Sequence, residues 1–440
     1  MNQPQSIHTC FADLHPSFTA QEAVVEANRC FYCFDAPCTV ACPTHIDVPG
    51  FIKRIASGNL TGSALKILDA NVLGLSCARV CPVDVLCEGA CVMHRYNKQP
   101  IEIGRLQRHA MEHFHGAGMR LEAGTQRQGR VACIGAGPAS LACAAELRRR
   151  GIAVTVFDKR QMAGGLNTYG VAEYKLTATA SLQEIELIRA LGVEFELGVV
   201  VGDGLPVAAL EERFDAIFLG PGLGPTQPLE IPGEDLGGVV DALRFIAQYK
   251  TGGEAEVGRC VAVVGGGNTA IDAAVASRLL GAAEVHMLYR RGENEMPAFF
   301  HEYETAKQHG VRFHWLVQPT AIHGSGAVER IECVQMDLAA ADEKGRRGVR
   351  PIAGSHFSLD CDMVIVSIGQ SRLLDLLAGC TGVELRDGLV VVDPRTGATA
   401  NPRFFAGGDC VNGGREVVDA VAEGKRAAAG IAARLGEIYG

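Results

Sequence analysis

Seven cysteines in two tight runs are the residues of this chain best suited to chemistry. The first run is Cys30-x2-Cys33-x4-Cys38-x3-Cys42 and the second is Cys81-x5-Cys87-x3-Cys91, with Pro43 and Pro82 each directly after a cysteine. Thiolates at such spacings are the ordinary ligands of iron–sulfur clusters, and one 4Fe–4S cube takes four of them. Seven thiols therefore fall one short of two cubes. Cys77, four residues before Cys81, is the candidate eighth ligand on residue chemistry alone. Four-cysteine sets also hold zinc, so a zinc-binding interaction domain stays open as an alternative.

Two glycine loops point to two dinucleotides. Gly135-Ala136-Gly137-Pro138-Ala139-Ser140 reads G-x-G-x-x-S. Gly135 permits a tight turn, Gly137 lets the backbone approach a pyrophosphate, and the following helix turns free N–H groups toward the phosphates. Asp158, 23 residues after Gly135 and followed by Lys159, ends the next strand, where an acid accepts hydrogen bonds from a ribose diol. The second loop is Gly265-Gly266-Gly267-Asn268-Thr269-Ala270, and its next strand ends in Tyr289-Arg290-Arg291 instead of an acid. Arginines there pair with a 2′-phosphate, which favours NADPH over NADH. Read as a solvated strand end, the same pair leaves NADH acceptable.

Near the C-terminus, Phe404-Phe405-Ala406-Gly407-Gly408-Asp409 ends a strand in small residues and an acid, before a helix from about Glu416. Gly408 would let a flavin's ribityl chain lie on backbone. Asp409 would bind a ribityl hydroxyl or phosphate-side group, and the helix start would stabilise negative charge on a reduced isoalloxazine.

These groups need scaffolds. The segment Phe51 to Leu73, with apolar Phe51, Ile52, Ile55, Leu65 and Leu68, reads as a helix between the cysteine runs. Gly116 to Gly129 reads as the linker out of a helical domain. Strand–turn–helix–strand then appears twice, over Arg130–Ile134, Leu141–Arg150 and Ala153–Asp158, and over Cys260–Val264, Ile271–Leu280 and Glu284–Arg290. The expected fold is α/β. An N-terminal helical 4Fe–4S domain (1–125) precedes an FAD-binding domain (126–240 and 362–440), into which an NAD(P)-binding domain (241–361) is inserted.

The 440 residues, 53 glycines and net charge of −9 suit a multidomain enzyme and argue against nucleic acid, which asks for a basic face. No apolar run approaches a membrane span and no secretion signal opens the chain, so a reducing cytoplasm is expected. The 16 cysteines are concentrated, unlike those of a small disulfide scaffold. Cys10, Cys133, Cys143, Cys260, Cys333, Cys361, Cys380 and Cys410 lack ligand spacing and read as small buried hydrophobes.

The glycine loops, together with Gly164-Gly165-Leu166, Ile271-Asp272, Tyr289-Arg290-Arg291 and Ala406-Gly407-Gly408-Asp409, resemble the NAD(P)H:flavin module of glutamate synthase small subunits. With the cysteine-rich part in front, the whole chain is similar to that subunit and to the N-terminal half of dihydropyrimidine dehydrogenase. The latter family completes one cluster with a glutamine, and Gln107 stands 16 residues after Cys91. The resemblance is thus closest to the bacterial dihydropyrimidine dehydrogenase flavoprotein subunit. It implies that Cys30, Cys33, Cys38 and Cys91 hold one cube, and Cys42, Cys81, Cys87 and Gln107 the other, with Gln107 preferred to Cys77. Ser140, Ala172 and the Leu219-Gly220-Pro221-Gly222 segment depart from the family pattern.

The implied activity is electron relay between NAD(P)H, FAD and two clusters, with no acid–base side chain required for hydride exchange and no catalytic residue assigned. The chain stops at Gly440, just past the flavin helix, so the substrate site is expected on a partner, an FMN and iron–sulfur subunit that reduces uracil or thymine. The alternatives are a glutamate synthase small subunit feeding 2-iminoglutarate reduction, the zinc domain named above, and a dithiol reductase, which would need a Cys-x-x-Cys near the nicotinamide loop, whereas the only such pair lies in the first cysteine run.

Overall fold

The computed structural model describes residues 11–14, 16–253, 256–341 and 347–439. Cys10 lies outside them. By contact the chain forms two units. One comprises the residues up to Ala12, Tyr169–Tyr174 and Gly224–Ser371, and the other comprises Asp13–Thr168, Lys175–Leu223 and Arg372–Gly440.

The larger unit begins with helices. The expected single helix between the cysteine runs is two, α1 (Val48–Ala56) and α2 (Leu60–Ala70). Gly58 takes a positive φ of 77°, and Asn59 caps α2 by accepting from the Gly62 N–H at 2.8 Å. Left-handed glycine plus a fresh N-cap ends one helix and starts another. Phe51, Ile52, Ile55 and Leu68 are buried as expected, whereas Leu65 is 40% exposed. Helix α3 (Gly74–Val80) leads into Cys81, and α4 (Ile103–Gly116) carries Gln107. No helix or strand interrupts residues 117–129, in keeping with a linker.

A parallel sheet follows, from β1 (Arg130–Ile134), β2 (Ala153–Asp158), β3 (Glu194–Leu197), β4 (Ala216–Leu219) and the late strand β13 (Phe404–Ala406), in the order β13-β4-β1-β2-β3. Near-continuous Val, Ile, Phe and Ala runs fit strands covered on both faces. Helices α5 (Pro138–Arg149), α6 (Ala178–Ala190) and α8 (Val417–Tyr439) belong to this unit, and α5 packs on α8. Here α5 begins at Pro138, three residues earlier than the periodicity predicts, because proline fits the first turn of a helix.

The other unit holds a second parallel sheet, ordered β5-β12-β6-β7-β8 from Val239–Asp241, Met363–Val366, Cys260–Val264, Glu284–Tyr289 and Arg312–Trp315. Helix α7 (Asn268–Leu279) follows β6. An antiparallel ribbon of β9 (Val317–His323), β10 (Arg330–Ala341) and β11 (Arg347–Asp360) completes the unit. The architecture is the expected one, a helical N-terminal region followed by two Rossmann-like α/β domains. Cys133, Cys143, Cys333, Cys361, Cys380 and Cys410 are buried, whereas Cys260 is partly exposed.

Candidate cofactor sites

Cys30, Cys33, Cys38 and Cys91, from two sequence-distant pieces of chain, line one pocket alongside Pro37, Ile52 and other apolar groups. The loop folds around it through backbone that L-residues rarely adopt, with Tyr32, Ala36 and His45 at φ of 51°, 26° and 53°. Such strain persists where surroundings over-determine it, and it concentrates at functional sites. The Tyr32 N–H donates to Cys30 Sγ at 3.4 Å, the kind of contact that tunes cluster potential. Burial pushes Cys38 up to about 12 and raises Cys30 as well. A thiol that coordinates a metal gives up its proton, and four cysteines lining one pocket are the ligand number an inorganic cube takes. Among the described residues no three Cys, His, Asp or Glu side chains already converge on a single-ion site.

The second set gathers around the end of α3. The Cys81 thiol is partly exposed, and the neighbouring Cys77 thiol, desolvation, Cys87 and Cys42 all raise its pKa. Cys42 Sγ lies 3.3 Å from Thr44 Oγ1. Gln107 is buried on α4, and its Nε2 donates to the Gly74 carbonyl at 2.7 Å. Cys77 thus lies on α3 and Gln107 against its first turn, and both stay candidates for the eighth ligand. Glu88, beside Cys87, accepts the Gly104 N–H at 3.0 Å, and burial raises its pKa to about 7. That carboxylate anchors the start of α4 and was not evident from spacing.

The first glycine loop is held by the acid assigned to the ribose. Asp158 accepts the Ala136 N–H at 2.7 Å and the Arg160 N–H at 2.8 Å, so its first task is to brace the loop. Lys159 is exposed. Gly164 N–H donates to the Ala136 carbonyl at 2.8 Å, which brings Gly165 so near that a Cβ on it would stand 2.7 Å from Gly137 Cα. Leu166 opens the short helix after this contact. A Cβ on Gly137 itself would meet nothing closer than 4.0 Å, so open space fronts the start of α5, where Pro138 and Ala139 form the first turn. This is the cradle a pyrophosphate requires. Ser140 is fully buried, and its Oγ has no hydrogen-bond partner.

Gly408 has a φ of 79°, and its N–H donates to Glu423 Oε2 at 2.6 Å. Asp409 accepts the Arg415 N–H at 3.3 Å, and burial raises its pKa. Glu423, from α8, also accepts from Asn412 Nδ2 at 3.2 Å. It is a shaping residue invisible to motif reading, since nothing local to Gly408 announces it.

In the other unit a Cβ at Gly266 would stand 2.6 Å from the Tyr289 ring, whereas Gly267, the residue before α7, faces open space. Asn268 Oδ1 accepts the Phe299 N–H at 3.0 Å, and Thr269 lies in the first turn of α7. Arg290 is exposed; Arg291 is partly buried, and its Nε lacks a hydrogen-bond partner. A buried guanidinium N–H left open suits an anionic ligand.

Residues 7–119 match the family model described as dihydropyrimidine dehydrogenase domain II, 4Fe-4S cluster, and residues 129–424 match pyridine nucleotide-disulphide oxidoreductase. The chain is 36% identical to the glutamate synthase [NADPH] small chain of Halomonas elongata, over 96% of this chain and 92% of that one. It is 35% identical to the protein of the same name from Escherichia coli K12, covering 96% and 93%. Identity to the NADP(+)-dependent formate dehydrogenase subunit beta of Moorella thermoacetica is 37% over 90% of this chain, which spans 59% of that relative. The fold matches that of Mycobacterium tuberculosis FprA in complex with NADPH, with a TM-score of 0.58 over 71% of this chain and 85% of that one, at 22% identity.

Proposed function

We propose that this chain, which belongs to the glutamate synthase small-chain-like family of NAD(P)H-, FAD- and iron–sulfur-dependent oxidoreductases, is the electron-input subunit of a larger enzyme. The observation that carries this reading is the pocket ringed by Cys30, Cys33, Cys38 and Cys91 in the same unit as the Gly135–Ser140 cradle. When bound, the nicotinamide and flavin exchange a hydride, and the flavin and clusters exchange single electrons. The protein's part is to bind and orient. Gly137, Gly165 and Gly408 would keep backbone clear for FAD, with Asp158 and Glu423 fixing the loops. Gly266, Gly267, Asn268 and Thr269 would hold the nicotinamide dinucleotide's pyrophosphate. Arg290 and Arg291 would take a 2′-phosphate, which makes NADPH the preferred donor.

Two cubes are proposed, the second on Cys42, Cys81, Cys87 and Gln107. The whole-length likeness to glutamate synthase small chains favours a partner that reduces 2-iminoglutarate over the dihydropyrimidine partner expected from Gln107. The second reading, a uracil- or thymine-reducing partner, rests on that glutamine and on the family model matched by residues 7–119. Exposed apolar residues Phe31, Phe34, Val40, Val85 and Tyr96 lie among the cysteine runs and offer a surface for either partner.

Purification from the native host tests these readings together. Stoichiometric iron and sulfide with FAD, and NADPH-dependent glutamate formation by the co-purified complex, are the expected results. Uracil reduction instead would establish the second reading. Zinc without iron would overturn the iron–sulfur assignment.

A further inference from the structure

The turn between α2 and α3 is pinned to the dinucleotide-sheet part of its unit at both ends. Lys425, on α8, donates to the carbonyls of Asp69 and Ala70 at 3.0 and 2.7 Å, the last residues of α2. Glu184, on α6, accepts the N–H groups of Leu75 and Ser76 at 2.7 and 3.1 Å and the Ser76 hydroxyl, at the first turn of α3. Burial raises the Glu184 carboxyl to about 7, so above that pH a cation sits on a helix C-terminus and an anion on a helix N-terminus, each the favoured sign. Between the pins, Val72 and Leu73 belong to the apolar core formed by β1, α5 and α8. The residue that would cap α3 locally is Leu73, which offers no side-chain acceptor, so the cap comes from a residue 108 positions away from Ser76.

Glu184 is fully buried, and Ser76 with it. Among the described residues its donors all come from α3, which ends at Cys81 and presents the Gly74 carbonyl to Gln107. We propose that Glu184 is a positioning residue for the second cluster: it fixes α3, and with it Cys81 and Gln107, and sets a negative charge at the helix end opposite Cys81. The inference rests on the two-cluster reading above. Removing the charge makes the cluster held by Cys81 easier to reduce and leaves the other cluster unchanged.

The test is Glu184→Gln in the full-length protein, compared with the native chain for FAD, iron and sulfide content, for the rate of flavin reduction by NADPH, and by redox titration at about pH 8 followed by EPR. The expected variant keeps its flavin and its rate of flavin reduction. One cluster signal moves to higher potential, or is lost with its share of iron, and the other signal stays in place. Two unmoved cluster signals would overturn the inference. Loss of flavin together with both clusters would overturn it too, since that marks a residue needed only for folding. A native protein without iron and sulfide would instead remove the two-cluster reading itself.

Discussion

Gln107 Nε2 donates to the Gly74 carbonyl at 2.7 Å, which turns the side-chain amide of α4 onto the first turn of α3. Among the described residues its Oε1, the atom able to ligate iron, makes no hydrogen bond. Replacement by cysteine would add a negative charge at the proposed second cluster. Gln107→Cys is expected to shift one cluster signal in redox-poised EPR toward lower potential. An unmoved spectrum, with one cluster lost in Cys77→Ser, would give the eighth position to Cys77.

Arg291 brings a buried N–H without a partner to the strand end where a 2′-phosphate would lie. Hydrogen bonds to charged groups contribute about 1.5–3 kcal/mol each, roughly 10- to 100-fold in an equilibrium constant. Alanine at Arg290 and Arg291 together should lower kcat/KM for NADPH by about that factor with an artificial acceptor. NADH should be little affected. Equal losses for both cofactors would show the arginines to be a solvated strand end.

Gly137 has room for a methyl group within the protein, its nearest neighbour being Gly165 Cα at 4.0 Å. Gly137→Ala should therefore fold, yet occupy the space through which a pyrophosphate approaches. The expected variant has native-like circular dichroism and much reduced flavin absorbance. Full flavin content would mean that the loop does not contact the cofactor.

Asp13 is paired with Arg79 and with Arg108, the latter at 2.6 Å. Burial works to raise its pKa, but the hydrogen bond from Arg108 and the charges of Arg79 and Arg108 outweigh it, and the net shift is downward from 3.8. A depressed carboxylate binds fewer protons folded than unfolded, so its contribution is present above pH 3.8 and is lost as pH falls through the folded value. Asp13→Asn should lower the melting temperature near neutral pH and converge with the native curve in acid. Parallel melting curves across that range would contradict the pairing.

Phe34 is fully exposed between Cys33 and Cys38, and Val40 is exposed between Cys38 and Cys42. Serine at both positions should leave NADPH-dependent reduction of a small acceptor intact and weaken delivery to the proposed partner subunit. Unchanged activity of the assembled complex would move the docking surface elsewhere.

Local pattern made much of this molecule legible. A glycine after a buried strand and before a helix is a short-range signal, so β1, β2 and β6 were readable with their bounds, and both glycine loops with them. The seven clustered cysteines were equally plain, because ligand chemistry is written in residue type and spacing. Tertiary structure alone decided what holds these parts in place. Strand β13 joins β4 in a register that pairs Ile217 with Phe404, 187 positions apart in sequence. Asp158 turned out to brace Ala136, and Gly408 to lean on Glu423. Helix α3 has no cap of its own and borrows Glu184 from far along the chain. A buried polar group takes whichever partner the fold brings within hydrogen-bond distance. Spacing along the sequence carries no record of that partner.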